Sequence, residues 1–311
     1  MRYDDFRRSS DIEDRRSDDG GGIMGGGGGF GLPIGGGGLG IGTIVVLGLI
    51  SYALGIDPRV LIGGAEMISR GGAPTYQTDR PSGPVKTGAP TDPMGSMIAG
   101  ILGEIDDRWS EMFQADGRTY TGPRIVLFRH VTNGGRCGMA QSAMGPFYCP
   151  PDRKIFLDTS FFQEVETRFH GCSGSACKFT AAYIIAHEAG HHVQNLLGIL
   201  PRVMRAQRAA SGKAAANALQ VRVELQADCF SGIWVNHELK KRPDFLQPGD
   251  IDAALQTASA IGDDTLQRET TGRVVPDSFT HGTSAQRKRW FLNGYQKGTL
   301  AACNTFGASS L

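Results

Sequence analysis

His187 and His191 stand four residues apart in an apolar stretch whose periodicity fits one structure best, a buried helix. From about Lys178 to Leu197 it carries Ala181, Ala182, Ile184, Ile185, Val193, Leu196 and Leu197, and Gly198 followed by Pro201 supplies a stop signal. On a helix the two histidines lie about 40° apart around the axis and about 6 Å along it, so both imidazoles reach one ion. Glu188 falls beside that face, placed for a water on an open metal position rather than for the metal itself. Ala186 to His191 is thus an H-E-x-x-H pattern in the helical context it needs. It points to Zn2+ as cofactor and to metal-assisted hydrolysis, with Glu188 as catalytic base.

Two ligands do not make a site, and Glu224 is the best candidate for a third. It lies on a second long helical pattern, from about Lys213 to Lys241, with Asp228 one turn further on the same face. A site of two histidines and a glutamate uses such a carboxylate. A histidine ligand also needs an acceptor for its other ring nitrogen, which Asp228 can supply. His192 points about 100° away from His191, and His237 lies about 140° round from Glu224, so both read as structural or exposed.

These residues carry a resemblance. The run His187 to Gln194, then Glu224 to Trp234, is similar to the bacterial family described as "putative neutral zinc metallopeptidase". Phe147-Tyr148-Cys149-Pro150, Lys154 to Asp158, His281 to Arg287 before Trp290-Phe291, and the early run Ile12 to Arg16 extend the likeness over nearly the whole chain. The resemblance implies a membrane-anchored zincin with a glutamate as third ligand.

The front of the chain reads differently. Residues 1–19 hold five arginines among seven acidic residues, and residues 20–42 are mostly glycine, so 1–37 is expected to be a disordered tail and linker. From Gly38 to Ile56 there is no charge, which suits one transmembrane helix better than a cleaved signal peptide. The five arginines favour a tail inside and the bulk of the chain outside. Residues 57–94, with Pro74, Pro81, Pro84, Pro90 and Pro93, read as an extended tether, leaving 95–311 for the catalytic domain.

All six cysteines lie beyond the span, as expected of disulfides on the extracytoplasmic side of the cell membrane. Spacing suggests Cys137 with Cys149, Cys172 with Cys177 and Cys229 with Cys303, out of fifteen possible pairings. A formal net charge of +1 without a basic stripe argues against nucleic acid as a partner.

The expected fold is α+β and zincin-like: a small sheet over an active-site helix, followed by a mainly helical lobe, with an N-terminal transmembrane helix. Helical patterns run from about Ser96 to Phe113, Asp250 to Ile261 and Ser284 to Lys297, and β-rich runs cover Arg124 to Phe128 and Lys154 to Asp158. The second of these runs is a candidate edge strand for an extended peptide. His281 is a candidate donor to a developing oxyanion, and Arg287 a candidate partner for Asp228. The partner read from all this is a peptide or protein substrate. The competing readings are a non-catalytic zinc-stabilised binding module at the envelope and a zinc amidase acting on cell-wall peptides.

Overall fold

The computed structural model describes residues 1–17, 85–167, 177–260, 262–265 and 274–311. Among these the strands, in chain order, are β1 (Ile12–Asp14), β2 (Lys86–Thr87), β3 (Arg124–Phe128), β4 (Val131–Asn133), β5 (Met139–Gln141), β6 (Phe147–Cys149) and β7 (Lys154–Asp158). Five of them form one sheet in the order β2-β1-β3-β7-β6, with β1, β3 and β7 parallel and the two outer strands antiparallel. β3 and β7 read as nearly continuous apolar runs because the sheet is covered on both faces. Ile125, Leu127, Ile155 and Leu157 face the helices, while Val126, Phe128 and Phe156 face a smaller cluster with Ala140 and Cys149. The β4–β5 hairpin supplies Ala140, and the Cys137–Cys149 disulfide ties the turn of that hairpin to β6.

The helices are α1 (Pro93–Ala115), α2 (Phe161–Thr167), α3 (Cys177–Leu196), α4 (Ile199–Arg208), α5 (Lys213–Lys241), α6 (Asp250–Ala260) and α7 (Ser284–Lys297). The fold is therefore a small sheet joined to a mainly helical lobe, as expected. α1 starts cleanly because Asp92 accepts from the Gly95 N–H at 3.0 Å and Pro93 opens the first turn. Pro201 does not end the helical run: left-handed Gly198 closes α3, and Pro201 sits in the first turn of α4, where a missing N–H costs nothing.

Two close approaches set the lobe. A Cβ on Gly190 would lie 3.0 Å from the Ala227 carbonyl oxygen, so α3 and α5 touch backbone to backbone at the level of the histidines. A Cβ on Gly294 would lie 1.9 Å from the Cys229 carbonyl oxygen, which seats α7 against α5 just as closely. The Cys229–Cys303 disulfide locks the chain that follows α7 onto α5.

The opening segment corrects the sequence reading. Residues 1–17 are folded into this same unit, not a disordered tail. β1 pairs with β3, Ile12 is fully buried, and Phe6 stacks on Phe245 at 5.9 Å. Burial of a side chain such as Ile12 contributes about 1.5–3 kcal/mol. The segment crosses α1 where Gly100 and Gly103 leave room for it; a Cβ on Gly103 would sit 1.9 Å from the Arg7 carbonyl oxygen. Its arginines are bound to the domain: Arg7 to Asp107, and Arg16 to Asp14 and Asp92. The opening residues are therefore part of the unit that carries β3, rather than a separate tail.

The end of the expected tether is also structured, as β2 and the start of α1. The transmembrane helix expected at 38–56 lies outside the described residues, as do 18–37 and 57–84. Among the described residues no helix is long and apolar enough to cross a membrane.

Candidate metal centre

α3 is buried along most of its length, so its polar side chains must find partners within the fold. His187 and His191 are one turn apart, with ring centroids 4.8 Å from each other, and both face Glu224 on α5. Glu224 Oε2 lies 3.3 Å from His187 Nε2 and 3.4 Å from His191 Nε2. Ligand atoms about 2.0–2.1 Å from a tetrahedral zinc lie about 3.3 Å from one another. Glu224 thus lies at ligand spacing from both histidines, the three ligand atoms fall within 4.8 Å of one another, and they are the only such group found among the described residues.

The far side of each ring is anchored as well. His187 Nδ1 is 2.8 Å from Asp228 Oδ1, and His191 Nδ1 is 2.9 Å from Gln194 Oε1. Both partners accept, so Nδ1 donates in each ring and Nε2 is left to face the shared space. Glu224 is held in the same way: Gln220 donates to Oε1 at 2.7 Å and leaves Oε2 for the metal.

Asp228 is fully buried and satisfied by three side chains, two on α3 and one on α7. It accepts from Tyr183 Oη at 2.6 Å, from His187, and from Arg287 through Nε at 2.9 Å and Nη2 at 3.0 Å. The expected pairing of Arg287 with Asp228 is thus present. α7 delivers Arg287 because a capping box between Thr283 and Gln286 fixes its first turn and Gly294 fixes its depth.

Charges in this centre shift one another. Burial alone would lower His187, but the Asp228 carboxylate, then Glu224, raise it to about 10 in the metal-free protein. Burial would raise Glu224, yet the two histidines hold it well below the usual carboxylate range. Glu188 goes the other way, pushed up by burial. It makes no hydrogen bond among the described residues, and its nearest charges are His191, His187 and Glu224.

The other histidines separate clearly. His192 donates from Nε2 to the Thr121 carbonyl at 2.6 Å and accepts at Nδ1 from Tyr148 Oη at 2.9 Å; burial lowers it to about 4. It is structural, and with Asn195, which donates to Tyr148 and to the Pro150 carbonyl, it fixes β6 beside α3. His237 donates to the Gly298 carbonyl at 2.9 Å, away from the centre. His281 is exposed, in the loop before α7. That loop lies on α5 next to Glu224, since a Cβ on Gly282 would touch Leu225 at 3.1 Å and Val221 at 3.3 Å.

Three contributors escaped the sequence reading: Gln194, Gln220 and Tyr183. Gln194 had a usable signal, an amide three residues beyond His191 on an apolar helix. It also donates to the Val223 carbonyl and to Gln226. The candidate edge strand needs correction as well: β7 is flanked by β3 and β6, so the strand at that end of the sheet is β6.

Cys137–Cys149 and Cys229–Cys303 are bonded as spacing suggested. Cys177 is also disulfide-bonded, and its expected partner Cys172 lies outside the described residues.

A family model described as "Putative neutral zinc metallopeptidase" matches residues 1–306. Among curated relatives, the chain is 43% identical over 309 residues to "Uncharacterized protein YpfJ" of Escherichia coli (strain K12), covering 99% of this chain and 100% of that protein. It is 39% identical over 268 residues to "Uncharacterized protein Rv2575" of Mycobacterium tuberculosis (strain ATCC 25618 / H37Rv), covering 83% of this chain and 85% of that one. No solved structure matches.

Proposed function

Because this chain belongs to the putative neutral zinc metallopeptidase family, we propose that it hydrolyses peptide bonds at a zinc ion held by His187, His191 and Glu224. The observation that carries the reading is Glu224 at ligand spacing from both histidines, with the Glu188 carboxylate beside them and without a hydrogen-bond partner among the described residues. When bound, zinc supplies the Lewis acid that acidifies water and polarises the scissile carbonyl.

The protein's own groups do the rest. Glu188 takes a proton from the attacking water and passes it to the leaving amine; in the metal-free protein burial raises its carboxyl above the ordinary value, the direction that favours holding that proton. Asp228, itself held by Arg287 and Tyr183, keeps His187 in the tautomer that presents Nε2. Gln194 does the same for His191. His281 donates to the oxyanion from the α5 side of the centre. An extended peptide lies along β6 in a zincin-like arrangement, since β6 ends the sheet and reaches α3 through Tyr148 and His192.

Glu188 also favours an enzyme over a zinc-stabilised binding module, because holding the metal uses His187, His191 and Glu224 and has no need of a second carboxylate beside them. The test is cleavage of a mixed pool of unstructured peptides, with and without chelator, by the parent and by Glu188→Gln at equal zinc content. The variant is expected to lose about 10²–10⁴ in kcat. Equal turnover would remove Glu188 from its role. No cleavage by either zinc-loaded protein would leave the binding module or the cell-wall amidase.

For location we propose the extracytoplasmic side of the cell membrane. The bonded state of Cys137, Cys149, Cys177, Cys229 and Cys303 supports an oxidising compartment. The pairing of β1 with β3 supports the same side for residue 1, so an attachment through residues 38–56 would start and end on the domain's side. Tags at residues 1 and 311 should both be cut by protease added to spheroplasts. Protection of only the first tag would restore the opposite-side tail, and protection of both would place the domain inside.

A further inference from the structure

Asp263 is largely buried and spends both oxygens on the loop that carries His281. Its Oδ2 accepts three consecutive backbone N–H groups, from Thr280 at 2.7 Å, His281 at 2.6 Å and Gly282 at 3.0 Å. Its Oδ1 lies 3.3 Å from His281 Nδ1, which is also 3.1 Å from Thr280 Oγ1. One carboxylate therefore fixes the path of the loop and the rotation of the ring together. The neighbouring Asp264 is engaged elsewhere, accepting from the Ser284 N–H and hydroxyl. His281 Nε2 has no protein partner among the described residues, and the loop rests on the turn of α5 that carries Glu224.

We infer that Asp263 is a positioning residue of this centre: it aims His281 at the reacting carbonyl and holds the imidazole in the doubly protonated form whose Nε2–H can donate. This deepens the peptidase reading and rests on it. Protonation matters because Nδ1 already donates to the carboxylate, so a neutral ring would present only a lone pair at Nε2. The charged groups around His281 are Asp263, Glu224, Glu188 and Arg287. In the metal-free protein, partial loss of water and Arg287 disfavour the imidazolium, while Asp263 first, then Glu224, favour it, and the balance lies above the ordinary histidine value. The donor is therefore present below the raised pKa and lost as pH rises through it.

The experiment compares the full chain with Asp263→Asn, His281→Ala and the double variant, all at equal zinc content. His281→Ala is expected to lower kcat by about 10²–10³, and Asp263→Asn by about 10–100-fold, as for other groups that orient a histidine. Asp263→Asn should also move the alkaline limb of kcat/KM to lower pH, and it should add nothing in the His281→Ala background. Additive losses, or a loss with an unmoved pH profile, would overturn the inference and leave Asp263 a loop-bracing residue.

A second readout needs no activity. The His281 ring is followed by NMR titration in histidine-labelled protein, its signals assigned by their absence in His281→Ala. Asp263→Asn should lower the titration midpoint; an unchanged midpoint would overturn the pairing. If the zinc-loaded parent cleaves nothing while the midpoint still falls, the peptidase reading fails and the positioning of His281 by Asp263 stands.

Discussion

Two histidine–aspartate pairs flank the same centre and are built in opposite ways. His187–Asp228 lies between two long helices, fully enclosed, and its carboxylate is neutralised by Arg287 and braced by Tyr183. His281–Asp263 lies in a loop, its ring is exposed, and its carboxylate is braced by three backbone N–H groups and, among the described residues, no arginine. In the first pair a side-chain cation fixes the aspartate, and the histidine can give its proton at Nε2 up to a metal. In the second, among the described residues, backbone N–H groups fix the aspartate. Both carboxylates favour a proton on their histidine; the pairs differ in where Nε2 points, toward Glu224 beside His191 in the first and toward no protein acceptor among the described residues in the second.

Breaking the arginine should separate the pairs most sharply. Arg287→Ala leaves Asp228 buried without its cation, a change that costs about 3–5 kcal/mol. It should also weaken zinc by about 10–100-fold, because the acceptor for His187 is no longer fixed. Thermal unfolding of the zinc-loaded protein and chelator competition measure the two effects. An unchanged zinc affinity would mean that Asp228 is held by Tyr183 alone. The His281 titration should move much less, since Arg287 is a minor contributor there.

A smaller effect is expected from the packing beneath the ligands. Gly190→Ala places a methyl 3.0 Å from the Ala227 carbonyl oxygen and pushes α5 away from α3. Overpacking of this kind costs about 1–3 kcal/mol. It should weaken zinc further by displacing Glu224 from the two histidines, while the His281–Asp263 pair, which α3 does not carry, titrates as before. Full zinc affinity in this variant would show that the helices slide apart without disturbing the triad.

Much of the helical lobe was legible because its signals are local. The limits read for α5 and α7, Lys213 to Lys241 and Ser284 to Lys297, are those observed, and α3 differs by a residue at each end. Long amphipathic periods and caps need no knowledge of the partner helix. The sheet was legible only where five-residue apolar runs announce it, at β3 and β7. β1 and β6 are three residues long, too short for a period, and Ile12-Glu13-Asp14 reads as part of a charged tail until β3 lies beside it.

By itself the sequence determined what one helix can determine: His187, Glu188 and His191 on one face, and Glu224 and Asp228 one turn apart on another. Helix geometry converts such spacing directly into position. Tertiary structure decided everything that depends on two elements meeting. That covers which oxygen of Glu224 faces the histidines, the closeness of α3 to α5 through Gly190, the buried path of residues 1–17 over Gly103, and the choice of Asp263 to hold His281. A side chain's partner is fixed by the approach of backbones distant in sequence, and no local period in the chain encodes that approach.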